Sequence, residues 1–177
     1  RLEKAWAFLT NSTQVEKQIA NGIKYLLYKR NWKCLGSGVN YISAKDAAIS
    51  LIRNFNKSCA FDVLENHKHI DISAEGAILV FIANIWRQGY QSDVLSEIEK
   101  LISHNNIPII ITNLGDKRFD EIQMRVNYGV QKEIFLPQPT IKLPKVSETY
   151  SFPLNVLLVN KLVDELLTIS SKKDIDY

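Results

Sequence analysis

The chain has 177 residues, of which 46% are hydrophobic and 23% charged, a composition typical of globular proteins that excludes a disordered or fibrous chain. Its net charge of 22 − 19 = +3 is too small by itself to indicate a nucleic-acid partner. No apolar run approaches the roughly 20 residues that span a bilayer, so no membrane helix is expected. No signal-peptide pattern follows Arg1, and we expect a piece of a longer cytoplasmic protein.

Helical and strand-like patterns alternate along the chain. Apolar residues at helical spacing predict four helices, over residues 15–29, 43–55, 92–104 and 152–169. Runs rich in β-branched residues predict five strands, over residues 32–35, 59–63, 77–83, 107–112 and 133–136. The third and fourth strands are apolar throughout, which is typical of a parallel sheet covered on both faces. We therefore predict an α/β fold, a three-layer αβα sandwich with a five-stranded parallel sheet.

This pattern predicts a single domain over residues 1–177. It divides into a leading helical segment (1–30), an α/β core (31–136), a linker (137–149) and a C-terminal helix (150–170). The linker is predicted because prolines at 137, 139 and 144 forbid a helix interior. Ser92 or Asp93 is the predicted N-cap of the third helix.

Cys34 and Cys59 lack the spacing of a metal or redox site, and we expect two buried, reduced thiols.

A loop with two glycines follows the first predicted strand and runs straight into the next helix. It reads Gly36-Ser37-Gly38-Val39-Asn40-Tyr41. Glycines let a backbone approach a phosphate, and a helix N-terminus favours an anion. A dinucleotide fingerprint needs a small residue where Tyr41 stands, and a Walker P-loop needs a Gly-Lys-Ser/Thr that is absent. Phosphate binding, nucleotide binding and an ordinary β-α turn therefore all remain open at this loop.

A second polar cluster follows the second predicted strand and reads Glu65-Asn66-His67-Lys68-His69. Two imidazoles, an ammonium and a carboxylate suit proton transfer or anion binding. A solvated polar turn explains the same residues. His67 and His69 are two residues apart with no third ligand near them, so no zinc site is predicted.

Taken together, these segments resemble the sugar isomerase (SIS) domain family. The stretch from Gly36 to Leu51 is similar to the family's G-R-G-x-x-Y-P-x-A-x-E-G-A-L-K-L motif. Counting on without a gap, Lys68-His69 falls on the Lys-His of its G-E-L-K-H-G-P motif. The resemblance runs from about Gln14 to Leu167 and is strongest to the second SIS half of the glutamine–fructose-6-phosphate aminotransferases. It implies the SIS fold, which is flavodoxin-like or Rossmann-like.

The resemblance also implies a site. Its ligand-binding positions are Gly36, Ser37, Gly38, Tyr41, Lys68 and Arg53. The family's histidine, which assists ring opening, is retained as His69. The glutamate that shuttles a proton between sugar carbons C1 and C2 is replaced by Arg53, and arginine cannot act as a general base. Glu65 is the candidate substitute, so the catalytic prediction is His69 with Glu65.

What this resemblance implies about function is a phosphosugar-binding domain, the C-terminal isomerase-type half of a protein that converts fructose 6-phosphate to glucosamine 6-phosphate. Activity of this chain alone is left open because of Arg53. The expected partners are a hexose 6-phosphate and a second SIS domain, in the same chain or in a homodimer. No cofactor, metal, nucleic acid or membrane is expected. The alternatives are a non-catalytic SIS module for sensing or dimerisation, and a nucleotide-binding domain.

Overall fold

The computed structural model describes residues 2–26, 29, 31–55, 58–69, 77–82, 88–104, 106–112, 123–127, 133–137, 140–144, 146 and 150–173. Its helices are α1 (Leu2–Asn11), α2 (Thr13–Leu26), α3 (Asn40–Phe55), α4 (Gln88–Ser103) and α5 (Ser151–Lys173), with a 3₁₀ helix over Leu64–His69. Its strands are β1 (Asn31–Gly36), β2 (Ser58–Val63), β3 (Ala77–Ile82), β4 (Ile107–Thr112), β5 (Gln123–Asn127), β6 (Glu133–Pro137) and β7 (Thr140–Lys142). None of the helices in these ranges is long and apolar enough to cross a membrane.

The main sheet is parallel and has the strand order β2-β1-β3-β4-β7. The chain passes from β1 to β2 on one side and then returns to β3 on the other, so the strand order reverses at β1. Gly36 pairs with Val63 at the end of β2 and with Phe81 near the end of β3. In open sheets of this kind, ligands bind beyond the carboxyl ends of the strands at such a reversal. The topology therefore predicts a ligand site among the residues that follow Gly36 and Val63.

The sheet is covered on both faces, which explains its apolar strands. Cys34, Ile109 and Ile111 point to a core shared with α1, α2, α3 and α5. Their neighbours Leu35 and Ile110 point the other way, into a second core built with α4. Successive residues of a strand point to opposite faces, so a strand buried on both sides is apolar at every position. The predicted α/β class and its parallel strands are confirmed.

Two predictions about the end of the core are wrong. The predicted fifth strand, residues 133–136, is confirmed as a strand, β6, but it pairs antiparallel with β5 in a separate two-stranded sheet and does not belong to the parallel sheet. The main sheet is instead completed by β7, which lies inside the predicted linker of residues 137–149 and pairs with β4. Ile141 of β7 is fully buried, and Leu143 N–H donates to Thr112 O at 2.8 Å. The linker is predicted because prolines exclude a helix interior. They do not exclude a short edge strand, and that is what this segment forms.

The predicted N-cap of α4 is also wrong. The helix begins at Gln88, so Ser92 and Asp93 lie inside it. The apolar periodicity that predicted the helix starts only at Val94, because the first turns are polar. Helix α3 likewise begins three residues before the predicted start.

The two cysteines are free and buried, as predicted. They lie on the neighbouring strands β1 and β2, and their Sγ atoms are 3.7 Å apart. The hydrogen bond to Cys59, together with burial and the neighbouring thiol's charge, raises the pKa of the Cys34 thiol well above its usual value of 9.0.

Candidate functional site at the carboxyl edge of the sheet

The turn between β1 and α3 requires both of its glycines. A Cβ on Gly36 would collide with Asn40 O and lie 2.8 Å from Tyr41 N, because α3 starts directly against the end of β1. Gly38 has φ +57°, a left-handed conformation that other residues rarely adopt, and its missing Cβ faces open space. Each glycine thus has a reason within the fold. The predicted role of both in ligand binding stays a prediction.

The first turn of α3 uses several of its own amides. Asn40, Tyr41 and Ile42 donate their N–H groups to the carbonyls of Ser37, Gly38 and Val39, at 3.1 to 3.2 Å. These three amides are therefore not the free donors that a phosphate cradle at a helix N-terminus normally supplies.

Ser37 and Glu65 connect the two motifs that the sequence singled out. Ser37 is 2% exposed, and its Oγ donates a 2.7 Å hydrogen bond to Glu65 Oε1. The contact arises because β1 and β2 end side by side in the register Gly36↔Val63, so the residues just beyond them meet. A hydrogen bond to a carboxylate is stronger than one between neutral groups and restrains the orientation of both side chains. A half-buried carboxylate is thereby held at the edge where the strand order reverses.

Tyr41 lies on the β2 side of this loop. Its ring is 6.0 Å from the ring of Phe61 on β2, and Lys45 Nζ lies 5.7 Å from the centre of the same Phe61 ring. Tyr41 is half-buried. These contacts hold the first turns of α3 against the edge strand and give the loop an aromatic and cationic side.

Sequence reasoning missed a set of buried polar residues beside the loop. Asn155 Nδ2, near the start of α5, donates to Ser43 Oγ on α3 at 2.9 Å. Within the described part of the chain, Asn40 Oδ1 and Asn155 Oδ1 are buried and accept no hydrogen bond. The available signal was a polar residue inside an apolar helical stripe, as at Asn155 among Leu154 and Leu158. These two oxygens are enclosed by the protein and keep an unused capacity to accept hydrogen bonds.

The described structure does not show the remaining predicted site residues at the loop. Arg53 is exposed in the last turn of α3. It lies 53 − 40 = 13 residues beyond Asn40, about 20 Å along the helix axis, and so is not beside the loop of its own chain. The side chains of Lys68 and His69 lie outside the described structure, although their backbone forms the end of the 3₁₀ helix that begins beside Glu65. Among the described residues, no group of three or more His, Cys, Asp or Glu side chains is arranged to hold a metal ion.

Comparisons with known proteins bear on the fold. No protein-family model and no curated protein sequence matches the chain. Among solved structures it is similar to the C-terminal domain of glucosamine-fructose-6-phosphate aminotransferase from Francisella tularensis, with TM-score 0.70 and 17% identity over 99% of this chain and 45% of that one. The chain thus spans less than half the length of that structure.

Two further solved structures are also similar to the chain. The Vibrio vulnificus NanR protein complexed with ManNAc-6P has TM-score 0.64 and 15% identity over 96% of this chain and 62% of that one. The sugar isomerase domain of the RpiR transcription factor from Sphaerobacter thermophilus has TM-score 0.64 and 10% identity over 93% of this chain and 87% of that one. The parallel sheet, the reversal of strand order at β1 and these similarities together show that the chain has the fold of the SIS, or sugar isomerase, domains.

Proposed function

We propose that this chain is a phosphosugar-binding SIS domain of the isomerase type found in the C-terminal half of glucosamine-fructose-6-phosphate aminotransferase. Its ligand is a hexose 6-phosphate, bound at the carboxyl edge of the sheet by Gly36, Ser37, Gly38 and Tyr41, with Lys68 on the segment that follows Glu65. The hydrogen bond between Ser37 and Glu65 carries the proposal, because it joins the two sequence motifs that resemble the family.

The proposed chemistry is a ketose–aldose isomerisation with Glu65 as the base. A carboxylate can take a proton from sugar carbon C1 or C2 and return it to the other, whereas Arg53, at the family's glutamate position, cannot. Ser37 would fix the orientation of the Glu65 carboxylate, and His69 would assist ring opening. We assign Arg53 to a ligand only across an interface between two SIS domains, because it lies at the far end of α3 in its own chain.

A second candidate is a non-catalytic module that senses a sugar phosphate. The exposed Arg53 in place of an acid favours this alternative, as does the similarity to the NanR protein complexed with ManNAc-6P and to the RpiR transcription factor. Both candidates predict binding of a phosphosugar, and only the first predicts exchange of sugar protons.

Calorimetric titration with fructose 6-phosphate and glucosamine 6-phosphate tests binding. We expect the unmodified chain to bind one of them and Ser37→Ala to weaken that binding about tenfold, because the loop loses a hydroxyl and Glu65 loses its restraint. Ser103→Ala, on the exposed end of α4, removes the same hydroxyl at a distance and should leave the affinity unchanged. Failure of the unmodified chain to bind either sugar phosphate would contradict the proposal. Binding of a free nucleotide instead of a sugar phosphate would contradict it as well.

Proton exchange at sugar C2, followed by NMR in deuterated water, tests catalysis. We expect slow exchange with the unmodified chain and a loss of at least about 100-fold with Glu65→Gln, which keeps the shape and removes the base. Retained binding with no exchange in either protein would support the sensing module. Equal exchange rates in both proteins would rule out Glu65 as the base.

A further inference from the structure

Asn155 is a buried amide in a helix stripe that is otherwise apolar. It is 1% exposed and lies beside Leu154 and three residues before Leu158, both of which are fully buried. Its Nδ2 donates a 2.9 Å hydrogen bond to Ser43 Oγ, and within the described residues its Oδ1 is buried without a hydrogen-bond partner. A buried acceptor that stays unused costs stability, and an apolar side chain of the same shape avoids this cost. Stability alone therefore does not explain an asparagine at this position.

The partner of Asn155 belongs to the turn that carries the candidate site. Ser43 is buried and lies three residues after Asn40, so the two share one face of the first turn of α3. Asn40 is also buried, and its N–H donates to Ser37 O at 3.1 Å. The hydrogen bond from Asn155 thus fixes α5 to the turn of α3 from which the loop is held.

The middle of the loop makes little side-chain contact among the described residues. The space where a Gly38 Cβ would stand is open, and Val39 is 44% exposed. The shape of the loop therefore depends on the hydrogen bonds of the residues on either side. Ser37 makes two of them, because its Oγ donates to Glu65 Oε1 at 2.7 Å and its carbonyl accepts from Asn40 N–H. A movement of the first turn of α3 consequently shifts Ser37, and with it the orientation of the Glu65 carboxylate.

We propose that Asn155 is a positioning residue of the site. Through Ser43 it holds the first turn of α3, and that turn holds Ser37 and Glu65 in the arrangement that binds the ligand. Asn155 is enclosed by the protein and does not touch the ligand itself. The proposal rests on the phosphosugar site proposed above. It assigns the unfavourable buried amide to the function of that site rather than to the stability of the fold.

Hydrogen exchange of the backbone amides, measured by NMR without any ligand, tests the positioning. We expect Asn155→Leu to speed exchange at Asn40, Tyr41 and Ile42 at least about tenfold, because their N–H groups bond to carbonyls of the loop. Amides of β4 should keep their rates, since the sheet is not affected. Asn160→Leu makes the same substitution at an exposed position of α5 and should change neither set. Unchanged exchange in the loop, or faster exchange throughout the fold, would overturn the proposal.

Calorimetric titration with fructose 6-phosphate then measures the effect on the site. We expect Asn155→Leu to weaken binding about tenfold while the urea midpoint of unfolding stays the same or rises, because a buried unused acceptor is removed. Asn160→Leu should leave the affinity unchanged. A role in packing alone would lower the midpoint of Asn155→Leu and preserve its affinity, which is the opposite of what we propose.

The double variant that combines Ser37→Ala with Asn155→Leu supplies the decisive comparison. If Asn155 acts through Ser37, the second substitution has little left to disturb, so the double variant should bind about as weakly as Ser37→Ala alone. Independent contributions would multiply to a loss of about 100-fold, and that result would rule out the positioning role. A failure of the unmodified chain to bind contradicts the proposed function, whereas the exchange rates of the loop still support or overturn the positioning role of Asn155 by themselves.

Discussion

Gly36 and Gly38 are two residues apart in one turn, yet each is needed for a different physical reason. Gly36 leaves room for the backbone of α3, whereas Gly38 adopts a backbone angle that a Cβ disfavours. The sequence predicts the turn from this pair, because glycines before a helix are a strong local signal. It does not predict the roles of Asn40 and Asn155, since these depend on how α5 packs beside α3 more than 100 residues later.

Alanine at the two glycines should therefore have unequal effects on stability. We expect Gly36→Ala to lower the free energy of unfolding by about 2–3 kcal/mol, because its Cβ meets backbone atoms that cannot turn aside. Gly38→Ala should cost about 1 kcal/mol, since only the left-handed backbone angle is disfavoured. Urea denaturation measures both. Equal losses would contradict the close approach of α3 to the end of β1.

At the scale of elements, the sequence predicts those whose apolar spacing is regular and misses those that are short or begin with polar residues. Strands β3 and β4 are identified by their continuous apolar runs. Strand β7 has only three residues between prolines, and its pairing with β4 is a long-range contact that no local pattern reports. The polar start of α4 is hidden for a related reason, since helix periodicity becomes visible only with the first buried residue.

The membership of β7 in the sheet has a measurable consequence. Ile141 is fully buried between α2 and the sheet's edge, so Ile141→Ala should lower the free energy of unfolding by about 2–4 kcal/mol. Leu167→Ala removes a similar aliphatic group from α5 at a position that is 41% exposed, and it should cost less than about 1 kcal/mol. Urea denaturation compares the two variants. A loss for Ile141→Ala as small as that for Leu167→Ala would contradict the place of residues 140–142 in the sheet and favour the predicted linker.

For the whole molecule, the sequence predicts the layered α/β architecture because a strand that is buried on both faces of a sheet is apolar at every position. Cys34 and Leu35 illustrate this, since they are neighbours in the chain and belong to different cores. The burial of the two cysteines can also be predicted from the apolar residues around them in the sequence, but their proximity to each other cannot. Only the side-by-side pairing of β1 and β2 brings the two thiols to 3.7 Å.

This thiol pair should make the stability of the whole fold fall at alkaline pH. The hydrogen bond to Cys59, together with burial, raises the pKa of Cys34 above its unfolded value of 9.0. The folded chain therefore keeps a proton that the unfolded chain releases as the pH rises past 9. The stabilisation is complete below pH 9 and is lost, by up to about 1.4 kcal/mol per pH unit, until the folded thiol itself ionises.

Urea denaturation between pH 8 and pH 10, with a reductant present, measures this loss. Cys34→Ala removes the group whose pKa is raised, so its stability should decline less steeply over this interval, whatever its absolute value at pH 8. Lysines and tyrosines that titrate in the same range are common to both proteins and cancel in the comparison. Parallel declines in the two proteins would mean that Cys34 ionises as readily in the folded chain as in the unfolded one, which is incompatible with a fully buried thiol.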